Sequence, residues 1–162
     1  MTAYNYYAAS ASGQKRGAGY DRTFLQQVTV DFAQVSNVSN GASYDTVGTN
    51  IVAADTINVM VIPANTYVSA VIAAVKEANG VASSAFQLGD ASSAAGWLAA
   101  MLLNVLNTTK TIQADAYSQA STNGKIYTTA TPLLMTISTA STGFKVGKVV
   151  VTAVCHDYSE MV

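Results

Sequence analysis

The sequence predicts an all-β protein, an antiparallel β-sandwich or jelly-roll-like barrel with an extended N-terminal arm and one short helix or long loop around residues 91–106. Two patterns carry this. Along Phe24–Ala33 a mostly apolar face alternates with a mostly polar one, the period of a strand with one buried face, and Val146–Tyr158 is a long final strand rich in valine. Between them, β-branched runs are bounded by Pro63, Asn40-Gly41, Asn79-Gly80 and Asn123-Gly124, which punctuate strands. No internal repeat appears, so solenoids and propellers are not indicated.

Residues 1–22 read as the arm, and residues 23–162 as a single domain. Gly13, Gly17 and Gly19 break any helix, and Lys15, Arg16 and Arg22 gather the local charge. Two readings of this segment stay open. It is a frayed terminus, or it is an arm that orders against a neighbouring subunit through Tyr4, Tyr6, Tyr7 and Tyr20, the candidate assembly contacts, since tyrosine gives contact area at low entropic cost.

In the first strand, Phe24, Gln26, Val28, Val30 and Phe32 share one face. Residues 36–50 read as loop around the Asn40-Gly41 turn. Asp55–Ile62 forms a strand stopped by Pro63, and Tyr67–Ala78 resumes as a second. Strict alternation there puts Tyr67, Val71 and Val75 on one face and Val68, Ala70 and Ile72 on the other. Val81–Leu88 holds a short strand. Ala91–Asn104 is the one helical candidate, with Trp97, Met101 and Val105 spaced by fours. Asn107–Ala114, Lys125–Thr129 and Pro132–Ser138 are further strands. In the last, Val149, Val151, Ala153 and Cys155 face one way.

Half of the 162 residues are hydrophobic, only 10% are charged, and the net charge is −1, against roughly 25% charged residues in an ordinary soluble domain. Such a chain has little electrostatic attraction for nucleic acid or anionic membrane. It also has little repulsion between copies. Charge depletion fits a chain buried in an assembly better than a lone domain surfaced with Ser, Thr, Asn and Ala. The longest apolar run, Trp97–Leu106, is far short of the ~20 residues that span a bilayer, so a soluble protein is expected.

Catalytic groups are scarce. Cys155 and His156 are the single cysteine and histidine. As neighbours on a strand they point to opposite faces and cannot form a nucleophile–base pair. The aspartates are scattered, each expected to cap a turn or sit in solvent, although distant loops could still assemble a pair. No metal-ligand spacing or phosphate-cradling glycine motif appears. The reading is a non-enzymatic protein with no catalytic residue, cofactor or metal.

Residues Ile57–Val68, with Ile62-Pro63-Ala64-Asn65-Thr66 at their centre, resemble a strand–turn–strand signature of small structural proteins of tailed bacteriophages. Leu88-Gly89-Asp90, Gly96-Trp97-Leu98-Ala99-Ala100, Tyr127–Ile137 and Gly147–Val151 follow in the same order, so the resemblance covers roughly residues 50–158. Asn65 stands where glycine is usual, and the first 40 residues match nothing in the group. The resemblance implies a virion protein of the capsid decoration or cement type, a β-sandwich or jelly roll, often trimeric. Its partners would be the major capsid protein and itself, with no nucleic acid and no membrane. It would sit on the capsid surface after assembly in the host cytoplasm. A tail or fibre-base protein and a carbohydrate-binding β-sandwich module are the alternatives. Against the last, Trp97 is the only tryptophan and lies in an apolar run, so the nine tyrosines would have to supply the stacking platform.

Overall fold

A computed structural model describes residues 23–34, 38–40, 43–45, 50–106, 109–112 and 124–157. The 1–22 arm with its four tyrosines lies outside the described residues. Eleven strands are described: β1 (Thr23–Asp31), β2 (Val38–Asn40), β3 (Ser43–Asp45), β4 (Thr56–Ile62), β5 (Thr66–Glu77), β6 (Ala85–Asp90), β7 (Ser93–Leu102), β8 (Thr109–Ile112), β9 (Lys125–Tyr127), β10 (Thr131–Thr139) and β11 (Lys148–Asp157). All their pairings are antiparallel. One sheet runs β1-β11-β5, with β8 and β9 both on the far edge of β5; the other runs β3-β2-β4-β10-β6-β7. Two open sheets face each other, a sandwich rather than a closed barrel.

The apolar alternation builds this core. Val149, Val151, Ala153 and Cys155 are fully buried on the inner face of β11, the strand that lies between β1 and β5. Across from them Leu133, Met135 and Ile137 of β10 are equally buried, each worth roughly 1.5–3 kcal/mol relative to exposure. β10 tolerates Pro132 because at that end it pairs only with β4, its pairing with β6 beginning at Leu134; a missing N–H costs little where there is no second neighbour.

The turn at residues 63–65 is a corner between sheets, since β4 and β5 belong to different ones. Asn65 there has φ = 55°, a left-handed conformation open to glycine and, among other residues, most readily to asparagine. This accounts for asparagine in place of the usual glycine.

Four expectations are corrected. The helix or loop around 91–106 is largely strand β7. Its pairing with β6 shifts register twice, between Phe86 and Leu88 and between Leu88 and Asp90. The shifts insert extra residues, so inward-facing Leu98 and Met101 lie three apart with Ala99 and Ala100 both exposed between them. A bulged strand thus imitates helical spacing. Residues 36–50 contain the hairpin strands β2 and β3, each too short to alternate visibly. In β5, Cys155 pairs with Val68 and Val154 with Ala70, skipping Ser69. That bulge returns Val71 and Val75 to the inner face with Val68 and leaves Tyr67 outside. Finally, Asp90 neither caps a turn only nor sits in solvent, because it is buried against a lysine.

Candidate functional site

Register defines the outward face of the β1-β11-β5 sheet row by row. Thr23, His156 and Tyr67 form one row; Leu25, Val154 and Ala70 the next; then Gln27, Thr152 and Ile72; then Thr29, Val150 and Ala74. Asp31, Lys148 and Glu77 close the series. The interior rows carry no charge. Leu25 is 66% exposed at their margin, and Ile126 of β9, registered beside Tyr67, is also exposed.

The two end rows are polar and tied. Lys148 Nζ lies 3.2 Å from Glu77 and 3.6 Å from Asp31, and hydrogen bonding and charge from Glu77, then the charge of Asp31, raise its pKa above the usual lysine value. At the other end His156 contacts Thr23 Oγ1 through Nδ1 and Ser69 Oγ through Nε2, both at 3.0 Å, with the Tyr67 ring 5.5 Å away. Gln27 Nε2 donates to Thr152 Oγ1 at 2.9 Å in the middle. The interior rows thus form an uncharged face, with its polar side chains engaged with one another, closed at one end by the Asp31–Lys148–Glu77 row.

Cys155 faces the opposite way from His156. It is fully buried, and burial pushes its thiol up to about 12 from 9.0, so it is a core residue without nucleophilic character at neutral pH.

A second polar cluster ties the two sheets together. Asp90, at the end of β6, accepts a 2.6 Å bond from Lys125 Nζ on β9 and a 3.0 Å bond from the Tyr127 hydroxyl, both on Oδ2. Trp97 Nε1 of β7 donates to that hydroxyl at 2.9 Å. Oδ1 accepts from Ser92 N at 2.9 Å, Ser92 Oγ at 2.6 Å and Ser93 N. Lys125 Nζ also lies 2.9 Å from Ser92 Oγ and 5.0 Å from the centre of the Tyr127 ring. Three strands from both sheets converge on one carboxylate whose side chain is 2% exposed. Gly89 allows it, since a Cβ there would lie 1.9 Å from the Ser93 carbonyl oxygen on the bulged strand.

This tie joins residues 35 and 37 positions apart, beyond any local motif. The only sequence signal was the Leu88-Gly89-Asp90 triplet of the resemblance. Trp97, fully buried and bonded inward, is no exposed platform for a sugar ring. Among the described residues no group of three or more His, Cys, Asp or Glu is placed to hold a metal ion. The geometry is a sandwich braced by the Asp90 tie, with one outward sheet face whose interior rows carry no charge.

Neither a protein-family model nor a curated protein matches the sequence. Solved structures are similar in fold. A chain of the cyanophage Pam1 capsid asymmetric unit is similar with a TM-score of 0.58 and 18% identity, covering 96% of this chain and 99% of that one. A chain in the capsid of Ralstonia phage GP4 is similar with a TM-score of 0.59 and 11% identity, over 93% and 94%. A chain in the acidic stable capsid structure of Helicobacter pylori bacteriophage KHP30 is similar with a TM-score of 0.51 and 11% identity, over 83% and 86%. This β-sandwich therefore has the fold of chains found in phage capsid structures.

Proposed function

We propose that the protein is a non-enzymatic structural component of a tailed-phage virion, of the decoration or cement type, which binds the outside of the head and stabilises the shell of major capsid protein. The observation that carries this reading is the fold shared, over nearly its whole length, with chains of phage capsid structures. The charge-free interior rows of the outward sheet face support it, because desolvating them onto a partner costs little. The chain acts as a homo-oligomer, a trimer by preference, with residues 23–162 as the domain and residues 1–22 as an arm whose Tyr4, Tyr6, Tyr7 and Tyr20 add contact area. Its partners are the major capsid protein and itself, and neither nucleic acid, membrane nor cofactor takes part. It assembles in the host cytoplasm and remains on the capsid surface.

The test is to incubate purified protein with expanded, undecorated capsid shells, then measure co-sedimentation and the temperature at which the shells release their contents. Saturable binding with a raised release temperature is expected. A chain that ignores shells and protects none overturns the proposal, and electron cryo-microscopy finding it only in the tail would reassign it.

A further inference from the structure

The two sheets are offset along one side. β1 lies against β4. Beyond β4 its own sheet continues with β2 and β3, whereas β1 has no further neighbour among the described strands. At about 4.8 Å per strand, that sheet overhangs the other by roughly 10 Å at the Thr56–Ile57 end of β4, where the three-residue β2 pairs.

The edge above that shelf differs from the others. Proteins blunt exposed sheet edges with short strands, bulges, prolines or lysines. β3 and β9 have three residues each and β8 has four; β7 has ten, but its pairing is broken twice. β1 runs nine residues without proline or lysine and pairs with β11 without a register shift from Thr23↔His156 to Asp31↔Lys148. It is the one long, regular edge among the described residues.

The overhang decides what can pair with it. Two β1 edges pairing antiparallel about a twofold normal to the sheet would drive the Thr56–Ile57 end of β4 in one sandwich toward the space held by β2 of the other. A single extended segment meets no such obstacle. Its backbone can bond to β1 along the strand, with the short β2–β3 overhang beneath part of it.

We propose that residues 2–11 of a second copy of this chain fill the slot as an added strand. This rests on the reading that copies assemble with one another, and supplies the joint. The segment Thr2-Ala3-Tyr4-Asn5-Tyr6-Tyr7-Ala8-Ala9-Ser10-Ala11 has no charge, glycine or proline, and its tyrosines favour extended backbone. Its ten residues match the nine of β1. Residues 12–22, which join it to β1 of its own copy, span up to roughly 36 Å when extended. That exceeds the ~20 Å width of a sheet four to five strands across. The joint is therefore strand addition, with main-chain hydrogen bonds giving affinity and alternate side chains giving selectivity.

The full-length chain tests it. Copies carrying Gln27→Cys are mixed with copies carrying a cysteine at one of positions 4 to 9 in turn, and oxidised gently; buried Cys155 is present in every copy. Expected are disulfide-linked heterodimers for one parity of the scanned positions and not the other, as pairing of strands requires. In parallel, diluting the unmodified chain until light scattering reads monomer should raise amide exchange in β1 at least about tenfold while β11 stays protected. Cross-links without parity, cross-links only within one chain when both cysteines share it, or exchange in β1 independent of concentration would each overturn the proposal. An oligomer that shows no cross-link removes this joint and leaves the capsid reading to the shell-binding test.

Discussion

Trp97 and Tyr127 meet across the sandwich, the indole Nε1 donating to the phenol oxygen at 2.9 Å while that hydroxyl donates in turn to Asp90 at 3.0 Å. β7 and β9 lie in different sheets, so this relay fixes how one sheet sits on the other. Apolar packing alone tolerates small slides; a directional chain does not.

Removing the hydroxyl with Tyr127→Phe should lower stability by about 1–3 kcal/mol, the usual cost of taking a partner from buried polar groups. Asp90→Ala should cost more, about 3–5 kcal/mol, as loss of one member of a buried ion pair does. Lys125→Ala should cost less than Asp90→Ala, because Lys125 is 24% exposed against 2% for Asp90 and the carboxylate keeps its serine donors. Urea unfolding of the three variants checks the order, and an order with Lys125→Ala worst would contradict the geometry.

Cys155 should be silent to thiol reagents in the folded protein and react only as fast as the protein unfolds. Its raised pKa also has a pH signature. Between pH 9 and about 12 the unfolded chain gives up the thiol proton that the folded chain keeps, so stability attributable to this group is whole below pH 9 and falls as pH rises. Comparing wild type with Cys155→Ala, the wild type should lose stability more steeply over that window; parallel curves would mean a thiol in contact with water.

Two glycines should respond in opposite ways to alanine. Gly89→Ala places a Cβ against the β7 backbone and should cost more than about 3 kcal/mol or prevent folding. Gly80 has φ = 72° with nothing within 4 Å of a built Cβ, so Gly80→Ala should cost only the left-handed backbone penalty, about 1–2 kcal/mol. Thermal melts separate the two cases.

Leu25→Asp should leave the melting curve almost unchanged, within about 0.5 kcal/mol for an exposed site. The same change puts a charge at the β1 margin of the outward face and should weaken oligomerisation or shell binding at least about tenfold, measured by light scattering and co-sedimentation. Unaltered binding would direct attention to the opposite sheet.

How much of this was written locally varies along the chain. β1 and β11 were legible because each pairs without interruption or nearly so, and alternation survives in the side chains. β7 was misread where bulges turned a two-residue period into three, and β5 changed parity at Ser69 for the same reason. The Asp90 tie was illegible because its members are adjacent only after both sheets have formed. Asn65 shows the reverse case, a single residue whose conformational tolerance marks the corner between sheets.

The position of β11 has a consequence for the order of events in the cell. The strand at the C-terminal end of the described fold occupies the middle of its sheet, between β1 and β5, so the most remote contacts in sequence must close before that sheet exists. Folding dominated by such distant pairings is slow. During synthesis β1 waits, with its eventual neighbour untranslated, for more than 100 residues. The outward sheet face therefore forms only once residues 148–157 have left the ribosome.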